Sequence, residues 1–582
     1  MFHTILKLLS PITKLMFSNY ISQRRGFMRN EKIRLINFEV VLSCACVLLA
    51  GCYHEAAASS VAPVSLEEET YNIVRPEFDG DYLTYDIGQD PKGFNLTYYN
   101  GVYSRGFSWL TDNTVEETEL YLVKSDKGEQ ADFSGAELIN GVTQEFVSKT
   151  NGTVSFTDSD IPDGKGSSSS MELTLNSHKV HVENLEKGKA YSYKVGAPDH
   201  YYYGAFVVEK EHPSSITAIE LSDAQTIEPD KLNVWRNTFT KAVDTAGNDL
   251  DMVLYNGDQF DQNMRTVSGI SPSKPQRLQA YVKALDVIND YKINLAYMAA
   301  AGNHEPSAAY SQYITSDIDY AGFTKEGCYY SYDYEYAHFI VLDSNTIRSS
   351  TAQLDWLKED LDNASNAKWK VVMIHHSPYT TGDHSNKSET HTIIETLAPI
   401  FSEKHVDLVL EAHDHTYSKT LPYRWDAAGY TTSFDDNAVV NLDPAKKTVG
   451  EVSYDKNPNG TYYVITGAAG HRYGAREAED GIWAECVVED GEMKGLDPNN
   501  TFVNNKYKTV LGTLTQDNEY EPYTVNGHTS DQRYEIGDPA TGNVNAAMFG
   551  VLTLKENTLS YHVYTVNDDE VKLFDTLDVM KA

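Results

Sequence analysis

The sequence predicts an all-β sandwich over residues 72–212 followed by an α/β layered domain over 213–582. Three observations carry this reading. Short segments between 72 and 210 alternate apolar and polar residues and are separated by Gly, Asn, Asp and Pro. From Ser215 onward, apolar strand-like runs alternate with helical patterns, the grammar of stacked α/β layers. Just past five of these runs stand Asp, Asn, Gln and His side chains able to hold a metal.

The chain begins with features of export. Within the first 51 residues, Arg29, Lys32 and Arg34 form a basic segment before an apolar run over 40–50, and Leu49-Ala50-Gly51-Cys52 follows as a small-residue cleavage site. That ending resembles a bacterial lipobox. The resemblance implies an N-terminal extension and lipoprotein signal peptide over 1–51, a lipid on Cys52, and an exported protein anchored at the cell envelope. Residues 52–71 are small and polar and read as a tether. Beyond the signal and Cys52, Cys328 and Cys486 remain; they either pair or stay as thiols, and neither has zinc-thiolate spacing.

With a formal net charge of −36, the chain is a poor partner for a nucleic-acid backbone, and none is expected. The segments GFSWLTD, ELYLVKS, GTVSFTD, ELTLNSHKVHVENL and AYSYKVGA supply the strands of the first domain. HKVHVENLEKGKAYSYKVG resembles the closing strands of a fibronectin type III module. The stretch from Tyr103 to Trp109 resembles the entry to the β domain of purple acid phosphatases. A spacer is the expected role of this module. The acidic stretch DSDIPDGKG lacks the ligand alternation of an EF-hand loop.

In the second domain, strands are expected at 216–221, 251–255, 295–300, 338–342, 370–374, 406–410 and 461–467. Helices are expected at 231–244, 275–291, 353–362 and 391–404. The polar, acidic stretch at about 473–545 reads as an insertion that caps the cleft. The last stretch, turning at Glu556-Asn557, reads as a hairpin and a further strand of the same sheet.

Oxygen and imidazole donors without thiolates suit Fe, Zn or Mn rather than a purely structural zinc. A shared carboxylate can bridge two cations about 3.5–4 Å apart, with a hydroxide between them to attack phosphorus. The ordered series Asp223, Gly257-Asp258, Gly302-Asn303-His304-Glu305, Val372-x-x-His375 and His413-x-His415 is similar to that of calcineurin-like metallophosphoesterases. YYSYDYEYAHFIVLDSN, QLDWLKEDL and TYYVITGAAG resemble the purple acid phosphatase branch.

The resemblance implies a four-layer αββα metallophosphoesterase sandwich with two divalent or trivalent metal ions. One ion would take Asp223, Asp258 and His415, with Gln225 beside it; the other would take Asp258, Asn303, His375 and His413. His304 would serve the leaving group, while His376, Tyr379 and His384 would contact a small phosphate-ester substrate. Hydrolysis of phosphomonoesters is the implied activity. The alternatives are a phosphodiesterase or nucleotidase on the same site, or an inactive surface binding protein. Three positions depart from the pattern: Asp261 stands where the branch carries a tyrosine, Gln225 where related enzymes carry a histidine, and Ala412 where a glycine precedes the last pair.

Overall fold

The computed structural model describes residues 87–99, 101–156, 166–225, 229–259, 282–289, 295–305, 328–380, 384, 388–415, 417–420, 422–425, 439–441, 444–470, 487–489, 492–494, 524–525, 528–529, 547–567 and 569–582. The chain divides between Glu77 and Phe78, and all described residues fall in the second unit. The signal segment, Cys52, the tether, Asp261, Cys486, most of the expected 275–291 helix and nearly all of the 473–545 insertion lie outside them.

Eight strands form the first module: β1 (Lys92–Thr97), β2 (Arg105–Asp112), β3 (Glu119–Lys124), β4 (Glu137–Asn140), β5 (Val142–Phe156), β6 (Gly166–Val182), β7 (Ala190–Ala197) and β8 (His200–Val207). They build two antiparallel four-stranded sheets, in the orders β1-β2-β6-β5 and β4-β3-β7-β8. The period-2 pattern sends Phe94 and Phe107 from one sheet against Tyr193 and Phe206 of the other, with ring centroids 5.2–6.0 Å apart.

This module shares its core with the layered domain. Tyr98 and Val102 pack with Ile216, Met252 and Met298. The Gly93 amide donates to Asp286 Oδ1 at 2.7 Å, and a side chain at that glycine would meet Val282 at 3.3 Å. A buried ion pair of Arg105 and Glu209, 2.7 Å apart and joined by the Tyr98 hydroxyl, lies beside this seam.

The layered domain runs through β9 (Ile216–Leu221), α1 (Pro229–Ala246), β10 (Met252–Tyr255), β11 (Ala296–Ala299), β12 (Tyr330–Tyr334), β13 (Ala337–Leu342), α2 (Thr351–Asn363), β14 (Trp369–His376), α3 (Ser388–Lys404) and β15 (Leu408–Ala412). It continues with β16 (Ser418–Lys419), β17 (Tyr423–Trp425), β18 (Val439–Asn441), β19 (Lys446–Val449), β20 (Val452–Lys456) and β21 (Tyr462–Ile465). Two short hairpins follow, β22 (Val487–Glu489) with β23 (Glu492–Lys494) and β24 (Thr524–Val525) with β25 (His528–Thr529). The chain closes with β26 (Ala547–Leu554), β27 (Thr558–Asn567) and β28 (Glu570–Met580).

One sheet has the order β11-β10-β9-β26-β27-β28-β20-β19 and the other β12-β13-β14-β15-β21-β16. The final hairpin joins the first of these through β26, antiparallel to β9, as the sequence leads one to expect.

Strand alternation makes the layers. Met252, Leu254 and Met298 face Phe339, Val341, Val371, Met373, Leu408 and Leu410 across the gap between the two sheets. Val253 and Tyr255 face outward onto Trp235 and Phe239 of α1. Ile340, Leu342, Val372 and Val409 face outward from the second sheet onto Leu357 of α2 and Ile393, Leu397 and Phe401 of α3. Burial of each such side chain stabilises by about 1.5–3 kcal/mol. The Ser350 side chain starts α2 by accepting from the Gln353 amide at 3.1 Å. The result is the four-layer αββα arrangement. β9, β10 and β11 run parallel to one another, as do β13, β14, β15 and β21, so the site-bearing loops leave the carboxyl ends of their strands.

Candidate metal centre

Five loops supply the candidate ligands. Asp223 follows β9, Asp258 follows β10 and Asn303 and His304 follow β11; His375 is the penultimate residue of β14 and His413 follows β15. The two sheets meet here: the His413 amide donates to Asp223 Oδ2 at 3.2 Å, and the Asp223 amide donates to the Gly257 carbonyl at 2.9 Å. The loops turn sharply, and Asp223, Gln225, Asp258 and His413 hold φ values of 51°, 40°, 54° and 71°. Non-glycine residues enter this left-handed region at a cost, and such strain gathers at functional sites. Gly257 has no substitute. Its φ is +90°, and a Cβ there would lie 2.6 Å from His375 Nδ1 and 2.8 Å from the Gly302 amide nitrogen.

Asp258 is the hub of the site. Its Oδ2 lies 3.3 Å from His375 Nε2 and 3.7 Å from His304 Nε2, and its Oδ1 accepts the His304 amide at 2.9 Å. His375 donates from Nδ1 to the Asn256 carbonyl at 2.8 Å, which aims Nε2 at Asp258 and brings it within 3.0 Å of Asn303 Oδ1. His413 completes this set, since one donor atom each of Asp258, His375 and His413 lies within 4.8 Å of the others. Asp223 Oδ1 lies 3.5 Å from His415 Nε2, giving a second pair of donors next to it.

The electrostatics follow from burial and proximity. Burial alone would raise the Asp258 carboxyl, but the imidazoles of His375 and His304 more than offset it and hold it well below the usual range. Burial likewise opposes charge on His375, yet Asp258 brings it up to about 10. His413 is pushed well below its ordinary value by burial and by the rings of His376 and His375.

The donor set fits cations. Asp223 Oδ1 and His413 Nε2 are buried without a hydrogen-bond partner among the described residues, which is costly unless something else satisfies them. Carboxylate, carboxamide and imidazole donors suit Fe, Zn or Mn.

Gln225 adjoins the ligand set: its Nε2 donates to Asp258 Oδ2 at 2.9 Å, because a carboxylate oxygen can only accept. Tyr379 is buried at 2% exposure, with its ring against Tyr463 and Tyr423 at 4.5 and 5.0 Å.

His376 and His384 do lie beside the centre. A bulge in the pairing of β14 with β15 between Ile374 and His376 lets two successive histidines stand together, their rings 5.4 Å apart and nearly perpendicular. The His384 ring sits 3.9 Å from that of His413, and its Nδ1 is 2.5 Å from Asp414 Oδ1. The His304 side chain is one-tenth exposed.

Other residues here escaped the sequence reading. Glu305 accepts from the amides of Asp258 at 2.9 Å, Gln259 at 2.6 Å and Gly302 at 2.9 Å, pinning two ligand loops together. It sits next to His304 in the motif, which was the available signal. Asn256 donates to the Leu410 carbonyl at 2.8 Å and ties one sheet to the other. Asn345 donates to the Gly302 carbonyl at 3.0 Å, and Ser344 Oγ lies 2.6 Å from His376 Nδ1. Neither has a spacing that marks it.

Comparison with known proteins agrees with this geometry. Residues 219–417 match the family model described as Calcineurin-like phosphoesterase. Acid phosphatase type 7 of Danio rerio is 26% identical over 228 residues, 35% of this chain and 45% of that protein. Acid phosphatase type 7 of Homo sapiens is 26% identical over 204 residues, 32% of this chain and 42% of that protein. The matched stretches thus span less than half the length of these curated relatives. A purple acid phosphatase isolated from yellow lupin (Lupinus luteus) seeds superimposes with a TM-score of 0.52 at 14% identity, covering 85% of this chain and 75% of its own, which shows a shared fold. The chain carries a calcineurin-like phosphoesterase domain, a hydrolase domain with purple acid phosphatases among its relatives and in its fold.

Proposed function

We propose that this protein hydrolyses phosphomonoesters at a two-cation centre in which Asp258 is the shared ligand. Asp223 and His415 would complete one position; Asn303, His375 and His413 would complete the other. The observation that carries this reading is the convergence on Asp258, whose Oδ2 faces His375 Nε2 at 3.3 Å, with His413 a third donor within 4.8 Å. When bound, the cations supply Lewis acidity toward the phosphoryl oxygens and a strong oxygen nucleophile near neutral pH.

The chain's own residues do the rest. The Asn256 carbonyl and Gln225 amide fix the orientation of His375 and Asp258. Glu305 holds the loops carrying Asp258 and Asn303 in register. His304, anchored through its amide to Asp258 and with its Nε2 3.7 Å from Asp258 Oδ2, would give a proton to the departing ester oxygen. His376 and His384, whose rings lie beside that of His413, would orient the phosphoryl group. With Asp261 in place of the branch's tyrosine, no tyrosinate-to-metal colour is expected.

The wider organisation belongs to the same proposal. A lipoprotein signal (1–51), lipidation at Cys52 and a tether (52–71) would hold the enzyme on the bacterial cell envelope, with a fibronectin type III-like module over 72–212 ahead of the catalytic domain. The test is a panel of phosphomonoesters and diesters given to protein loaded separately with iron, zinc and manganese. Monoester cleavage that requires one of these metals is expected. Diester cleavage alone would replace the substrate assignment, and cleavage of neither with any metal would end the proposal.

A further inference from the structure

A second group of donors converges on His413, which it shares with the ligand set just described. One donor atom each of His376, Glu389 and His413 lies within 4.8 Å of the other two. Glu389 stands in the first turn of α3, and His376 ends β14, so the helix layer contributes to the rim here.

Two of the three side chains are held from behind. His376 Nδ1 lies 2.6 Å from Ser344 Oγ, which leaves Nε2 as its outward donor. Glu389 Oε2 lies 3.4 Å from Arg348 Nη1. Ligands held from behind in this way characterise metal sites, where outer partners fix rings and carboxylates. His376 is 7% exposed, and His413 Nε2 is buried without a hydrogen-bond partner among the described residues.

We infer that His376, Glu389 and His413 form an outer zinc site, distinct from the two-cation centre and sharing the His413 ring with it. Two imidazoles and one carboxylate make a zinc set with an open position. Arg348 is the feature that opposes a cation there. Its guanidinium is 37% exposed on that side chain, so solvent screens it while it steadies the carboxylate. The inference rests on the proposed centre only through the shared His413. Its consequence is regulatory: free zinc in excess draws on a ring that the inner centre also uses, and turnover falls.

The test uses the full chain in equilibrium dialysis against a series of free zinc concentrations, with bound zinc measured by elemental analysis. Glu389→Gln should bind one equivalent less than the wild type, or bind it at least about tenfold more weakly, the scale on which even an outer partner's loss acts. His376→Asn should lose the same equivalent, which keeps the test open if one variant folds poorly. Asp258→Asn, run alongside, reports on the inner centre: its loss of zinc with none lost from Glu389→Gln and His376→Asn overturns the outer site alone. If instead Asp258→Asn keeps all its zinc while the rim variants lose theirs, the outer site stands and the inner assignment falls.

Discussion

His375 stands between two fixed partners: its Nδ1 donates to the Asn256 carbonyl at 2.8 Å and its Nε2 faces Asp258 Oδ2 at 3.3 Å. The ring cannot turn without leaving a buried donor unpaired, so its outward nitrogen is committed to the centre. His375→Ala should therefore lose bound metal and lower turnover by more than about 100-fold, beyond the effect of losing an outer partner. Elemental analysis of the purified variant beside its rate checks both; full metal content with lost activity would assign the ring another role.

His304 meets the centre twice, with its amide on Asp258 Oδ1 at 2.9 Å and its Nε2 3.7 Å from Asp258 Oδ2. His304→Ala should keep its metal and lose about 10²–10⁴-fold in rate on alkyl phosphates, the range of general acid catalysis. An aryl phosphate with an acidic leaving group should suffer less. Equal losses on both substrates would rule out proton donation to the leaving oxygen.

Gly257 is fixed by its neighbours, since a methyl there would press on His375 Nδ1 at 2.6 Å and its φ is +90°. Gly257→Ala should displace the His375 ring and weaken metal binding with the fold retained. Metal titration with circular dichroism as the folding control makes the check. Unchanged affinity would mean that the loop relaxes without moving the ligand.

His338, remote from the ligand loops, provides a pH test of the fold. Burial opposes its charge, but Asp333 and Asp360, at 2.7 and 2.8 Å from its two nitrogens, raise it from 6.5 to about 9. A raised folded value means stability that is fully present below the unfolded value near 6.5 and is lost as pH rises through 9. The melting midpoint should fall across that window, and His338→Gln should flatten the fall. A wild-type profile as flat as the variant's would remove the ion pairs from the stability account.

The layered domain was legible because its chemistry is local. Each ligand cluster closes a short apolar run, so strand order and donor type could be read from neighbouring residues. The parts that were not legible depend on partners far along the chain. Nothing near Gln225 reveals that an acceptor, Asp258, will stand 2.9 Å from its amide. Tyr379 follows the ligand loop in sequence, yet Tyr423 and Tyr463 draw its ring inward. Nothing in the sequence of the β module shows that Tyr98 will stand against Met298, two hundred positions away. Glu389 opens an ordinary amphipathic helix, and only the fold brings it to His376.

The metal content and phosphomonoesterase rate of Asp258→Asn beside the wild type report whether Asp258 is shared by two cations. The wild type should hold cations in both inner positions and cleave the ester, while the variant should lose metal from both and its hydrolysis with them. A variant that retains the wild-type metal content and rate would contradict that sharing.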